Sequence, residues 1–96
     1  MKIRYTARAF ADRESIFDYI EKRSPRGARA VKQTIENTIR RLEHFPYSAP
    51  ATDEPEIREL IVPHLPYKVY YRVVAEEVWI VHIRHAARRP WRGEGD

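Results

Sequence analysis

Between His82 and Arg92 the chain carries four arginines and two histidines and no acidic residue. Histidine titrates near neutrality, and arginine offers a planar, permanently charged fork that fits carboxylate or phosphate. A stretch so composed can move a proton, steady a phosphate or grip an acidic partner. Other chemistries fall away. There is no cysteine, hence no thiol nucleophile, no disulfide and no Cys-based metal site. The three glycines build no phosphate-cradling loop. No HExxH occurs, and His82 and His85, three apart on a strand, point to opposite faces and cannot chelate one metal. Ser15, Ser24 and Ser48 have no nearby histidine that suggests a triad. Acid and base roles fall to His, Arg and Tyr, and no cofactor or metal is expected.

The elements that position these residues are legible. Lys2 to Thr6 alternates polar and apolar residues, the period of a short half-buried strand, and Thr6 can cap the next helix. Phe10, Ile16, Phe17 and Ile20 recur at helical spacing from Ala7 to about Lys22. Ser24-Pro25 is a stop-and-restart signal. Ala28, Val31, Ile35, Ile39 and Leu42 then form one apolar stripe on a second helix, which must end before Pro46. Pro46 to Pro55, with three prolines and no periodicity, reads as a loop. Three strands come after it at Ile57–Val62, Tyr67–Val74 and Val78–His85, with Ala75-Glu76-Glu77 as a tight hairpin. The order β-α-α-β-β-β predicts an α+β fold. In it a two-helix antiparallel hairpin packs on one face of a small, mainly antiparallel sheet, the first strand added at an edge.

Alternation along the strands divides the sheet into two faces. The mostly apolar set should lie under the helices, leaving Lys2, Arg4, Lys68, Tyr70, Arg72, His82 and Arg84 on the open face. In the fourth strand this assigns Trp79, Val81, Ile83 and His85 to one side and Val78, Ile80, His82 and Arg84 to the other. The second strand is apolar on both faces, so the side taken by Arg58 stays open. A face with clustered bases and a tyrosine suits a partner protein or RNA; an ordinary solvated sheet face has the same composition. Taken alone, His85 reads as a structural histidine at a strand end. Trp79 and Trp91 read as core or edge-covering residues, and His44 as a favourable charge closing the second helix.

With 96 residues the chain is one domain, expected over residues 1–91 with a flexible end at 92–96. It has room for a single modest core. Lys+Arg total 18 against 14 Asp+Glu, a formal charge of +4, and fourteen of the eighteen bases are arginine. Glu43 to Glu56 inverts that balance, with four acids and no Lys or Arg. The first residues lack the apolar stretch of a signal peptide, and no apolar run approaches the roughly 20 residues of a membrane span. The expectation is a soluble, cytoplasmic protein.

Several pieces occur in a recognisable order. These are Asp18-Tyr19-Ile20, Ser24-Pro25 with Ala28, Leu42 followed by Pro46, Ile57-Arg58-Glu59-Leu60, Tyr71-Arg72-Val73, and His85-Ala86-Ala87-Arg88. Over about residues 2 to 90 the chain resembles the RelE/ParE superfamily of small bacterial toxins. Ser48-Ala49 departs from the pattern where a glycine often follows the loop proline. The resemblance implies the toxin half of a type II toxin–antitoxin system, of the kind that stabilises plasmids or responds to stress, neutralised by a cognate acidic antitoxin. It implies no membrane partner, and operator DNA only through the antitoxin complex.

The superfamily divides by target. ParE-like members bind DNA gyrase and have no accepted catalytic residues. RelE-like members are metal-independent endoribonucleases that cut mRNA in the ribosome, which needs a base, cations on the pentavalent phosphate and an acid. Under that alternative Arg58, Arg72, His82, Arg84, His85 and Arg88 are the candidates. The loop before the second strand has no Lys or Arg and no Tyr follows Tyr71, whereas RelE-like members usually show both. These absences, with His-x-x-Arg at the last strand's exit, favour the ParE-like branch. Partner contacts are then expected from Lys68, Tyr70, Arg72, Arg84, Arg88, Arg89 and Trp91. A basic adaptor that uses the fold without toxicity is the third reading.

Overall fold

The computed structural model describes residues 1–86. Its elements are β1 (Lys2–Tyr5), α1 (Ala7–Arg23), α2 (Pro25–Arg40), a 3₁₀ turn (Arg41–Glu43), β2 (Arg58–Ile61), β3 (Tyr67–Val74) and β4 (Glu77–His85). The sheet order is β1-β4-β3-β2, with β1 parallel to β4 and the other pairs antiparallel. The expected α+β architecture is present.

Local chemistry sets the helix ends. Thr6 is extended, and its hydroxyl accepts the Ala9 N–H at 3.1 Å, satisfying one orphan donor of α1. Ser24 alone separates the helices: its N–H closes α1 on Ile20 O at 2.9 Å, and Pro25, which has no N–H to lose, opens α2. The apolar stripe of α2 goes where its spacing directs. Ala28, Ile35 and Ile39 are buried with Leu42 of the 3₁₀ turn, against Val69, Tyr71, Val78, Ile80 and Ile83 of the sheet.

The faces of β4 depart from simple alternation. Tyr70 pairs with His82 and Tyr71 with Ile80, so Val81 is an extra residue without an opposite number. Such a bulge reverses the parity of the strand. Val78 and Ile80, before it, therefore share the core face with Ile83, after it. The expectation that Trp79 and Val81 lie on the same side as Ile83 is corrected accordingly: Trp79 stands opposite Arg72 on the open face.

The hairpin between β3 and β4 turns on Ala75 and Glu76, both at positive φ (50° and 63°). Two consecutive left-handed residues match the twist of a two-residue hairpin, a conformation that Asn and Gly adopt more cheaply.

Candidate interaction face

Residues on the open face line up in cross-strand rows. Arg84 stands opposite Lys68, while Glu59, Tyr70 and His82 form a row across three strands. Arg72, Trp79 and Arg4 form another. All seven residues expected there share that face, and they divide into two kinds. Arg72 is exposed, Arg4 is exposed and bonded through Nε to Glu77 at 2.6 Å, and Lys68 is half-buried, 3.5 Å from Glu59. Tyr70, His82 and Arg84 are buried (0%, 7% and 4% exposed).

The buried three form a bonded network. The Tyr70 hydroxyl donates to Glu59 Oε1 at 2.8 Å and accepts from Arg84 Nε at 3.2 Å. Burial pushes the Tyr70 hydroxyl above its ordinary range, the Arg84 bond working against it and Glu59 with it. The His82 ring stacks on Tyr70, 5.9 Å between centroids and 17° between planes. Arg84 Nη1 is buried and has no hydrogen-bond partner among the described residues.

The bulge and the short β1 explain how a helix joins this network. Strand β1 pairs with β4 only as far as Ile80. Beyond it α1 passes along the vacant edge: Thr6 N–H donates to Ile80 O, and Asp12 Oδ2 accepts the Ile83 N–H at 3.1 Å. The same oxygen lies 2.7 Å from His82 Nδ1. A carboxylate only accepts, so Nδ1 carries the proton, and Nε2 faces the guanidinium of Arg8 at 3.5 Å. One carboxylate thus satisfies a backbone donor on the sheet edge and orients an imidazole.

His85 points to the other face, as the strand period predicts, its ring edge-on to Tyr67 at 5.6 Å. It borders a cleft of about 280 Å³ between α1 and β4, with Asp12, Ile16, Tyr19 and Tyr67 among its walls. Burial raises the Tyr67 hydroxyl too, with Tyr19 adding to the shift.

Arg58, whose side the sequence left open, takes the helix-covered side of the sheet, apart from the bonded network and from the cleft. It pairs across from Tyr71, and its Nη1 donates to Ala49 O at 2.6 Å while its guanidinium covers the Tyr47 ring at 5.1 Å. It holds the loop that precedes β2.

Of the residues named for RNA cleavage, then, Arg72 is exposed on the open face, while His82 and Arg84 are bonded within it. His85 borders the cleft on the opposite face, and Arg58 secures a loop. Arg88 lies outside the described residues, as do Arg89 and Trp91. Sequence reasoning missed Asp12 and Glu59, the two carboxylates that organise the network. Their signal was faint: each is an acid on an element whose contacts only the tertiary fold determines. Among the described residues no cluster of three or more His, Cys, Asp or Glu could hold a metal ion, and no helix is long and apolar enough to cross a membrane.

A family profile described as "ParE toxin of type II toxin-antitoxin system, parDE" matches residues 3–90. The chain belongs to the ParE toxin family. Among relatives of this ParE-family chain, Toxin RelE2 of Caulobacter vibrioides is 39% identical over 87 residues, spanning 88% of this chain and 93% of the relative. The protein Y4kP of Sinorhizobium fredii is 33% identical over 85 residues, 88% of each chain. A solved structure of the chromosomal ParDE system from P. aeruginosa superposes with a TM-score of 0.77 at 24% identity, covering 88% of this chain and 95% of that one. That likeness shows the fold. The ParE-family chain is accordingly a type II toxin of the RelE/ParE superfamily, a class paired with a cognate antitoxin.

Proposed function

We propose that this toxin acts by binding and inhibiting DNA gyrase, without catalysis of its own, and that an acidic antitoxin neutralises it in the cytoplasm of a cell whose plasmid or chromosome it helps to maintain. The observation that carries this reading is the occupied state of the best acid–base candidates. His82 is 7% exposed, with Nδ1 on Asp12 at 2.7 Å and Nε2 facing the Arg8 guanidinium at 3.5 Å, and the buried Tyr70 hydroxyl is bonded to Glu59 and Arg84 at 2.8 and 3.2 Å. A general base must come within hydrogen-bond reach of the proton that it removes. The proton-free nitrogen of His82 is thus turned toward a guanidinium in a side chain that is nearly buried, and reaching an RNA 2′-hydroxyl from here means displacing Arg8.

The exposed Arg72 and half-buried Lys68 offer cations to the antitoxin, supplying register and fast association while apolar contacts supply affinity. We place Arg88, Arg89 and Trp91 in the same interface on the strength of their types.

The name of the Caulobacter relative, RelE2, favours a second reading, ribosome-dependent mRNA cleavage. Expression without antitoxin separates the two. Gyrase inhibition produces DNA-damage signalling and filamentous cells with transcripts intact; rapid translation arrest with cut transcripts would overturn the proposal in favour of the nuclease.

A further inference from the structure

Two of the largest apolar side chains left in water sit on one small turn. Phe45 and Tyr47 are 60% and 61% exposed, while most of the chain's other tyrosines are well covered. They occupy the first and third positions of the turn Phe45-Pro46-Tyr47-Ser48, closed by Ser48 N–H on Phe45 O at 3.2 Å, with proline at the second position, where its fixed φ suits such a turn. The turn is tied down from beneath. Tyr71 donates its hydroxyl to Pro46 O at 2.8 Å, and Arg58 donates to Ala49 O at 2.6 Å with its guanidinium on the Tyr47 ring. Downstream, Glu59 N–H donates to Pro50 O and Thr52 N–H to Ile57 O, so the loop continues to be held against β2.

Exposed aromatics on an anchored backbone have already met the ordering cost that weakens flexible binding segments. Such residues are typical energetic centres of protein interfaces. Arg58 lies on the Tyr47 ring, and the charge carried by the rest of the loop selects the partner. The stretch Glu43 to Glu56 carries four acids and no Lys or Arg in a chain of net charge +4. Asp53 and Glu56 are exposed and make no ion pair among the described residues.

We infer that the Phe45–Glu56 loop is a second protein-docking surface, distinct from the basic sheet face, and that it receives a target protein presenting an apolar pocket rimmed by Lys and Arg. This rests on the proposed reading in one respect: the antitoxin is taken to be acidic. An acidic segment laid on this loop meets like charge, so antitoxin and target occupy different faces. A second copy of the chain is excluded as occupant by the same argument, because a two-fold contact sets the three acids of one loop, Asp53, Glu54 and Glu56, against those of the other. On this view the toxin meets its inhibitor and its victim through surfaces of opposite sign.

The test uses the full chain with three readouts: growth arrest on induction, binding to purified gyrase holoenzyme, and capture by the antitoxin encoded beside it. Phe45→Ser combined with Tyr47→Ser should weaken gyrase binding roughly 30-fold or more and abolish growth arrest, with antitoxin capture unchanged. Asp53→Lys with Glu56→Lys, both at exposed positions where folding is undisturbed, should slow association, with the difference shrinking as salt is raised. Retained arrest and gyrase affinity in both variants would overturn the inference. So would loss of antitoxin capture by a folded variant, or a wild-type dimer that the variants abolish. If the wild type arrests growth without binding gyrase and the variants lose arrest, the gyrase reading fails while the docking surface stands.

Discussion

Replacing Asp12 with alanine should destabilise the protein far more than a half-exposed helix carboxylate ordinarily does. The structure gives the reason. One oxygen of Asp12 accepts from the Ile83 amide at 3.1 Å and pairs with His82 Nδ1 at 2.7 Å. Ile83 is 3% exposed and the His82 side chain 8%. Each buried donor left without an acceptor costs about 1–3 kcal/mol. The Asp12 side chain is 23% exposed, so water will replace part of what is lost, which places the sum near the low end, about 2–3 kcal/mol. Alanine is also the better helix former by roughly half a kcal/mol, so the measured loss understates the network. For a domain of this size that corresponds to a fall in Tm of roughly 8–20 °C. Asp12→Asn, which keeps an acceptor oxygen but loses the charge, should cost about 1 kcal/mol. The assay is urea unfolding of wild type, Asp12→Ala, Asp12→Asn and the control Asp18→Ala, which removes only a surface pair with Lys22. A loss within about 0.5 kcal/mol for Asp12→Ala, indistinguishable from the surface control, would refute the claim that this carboxylate joins helix to sheet.

The hairpin, the tyrosines and the loop each give a further expected outcome. Ala75→Asn with Glu76→Gly relieves two left-handed non-glycine residues and should raise stability by about 1 kcal/mol or more, measured by the urea midpoint at unchanged slope. Tyr5, Tyr67, Tyr70 and Tyr71 all have hydroxyls raised above 10.0, chiefly by burial. A raised folded value contributes stability that is intact below pH 10.0 and is lost as pH climbs through that value. Tyrosinate absorbance from these rings should therefore grow in together with loss of structure above pH 10.0, and not before it. Arg58→Met removes a charge-assisted bond to Ala49 O and should cost about 1.5–3 kcal/mol, with limited proteolysis shifting into residues 46–56.

How much of this was legible beforehand depends on the physics of each signal. The helices were readable because the stripe from Ala28 to Leu42 has one period and one buried side, and Thr6 and Ser24-Pro25 mark their ends by local chemistry. The strand order and the shared face of Lys68, Tyr70, Arg72, His82 and Arg84 also came from spacing. What failed was parity across Val81. A bulge inserts one residue without any mark in an otherwise apolar run, and every facing upstream of it reverses. Arg58 was unreadable for a related reason: Ile57, Leu60, Ile61 and Val62 are apolar on both sides, so alternation carries no information there. The open face was expected to expose its bases. Tyr70, His82 and Arg84 are instead buried there, because Asp12 and Glu59 compensate them through contacts 70 and 11 residues apart in sequence. Pairings of that range leave no local pattern.

The most direct test of the account is a side-by-side assay of one purified, folded preparation. Supercoiling by gyrase should fall in proportion to added toxin and recover on addition of the antitoxin, while mRNA on translating ribosomes stays intact. Cut mRNA with undiminished supercoiling, abolished by His82→Ala or Arg72→Ala in a folded protein, would contradict it.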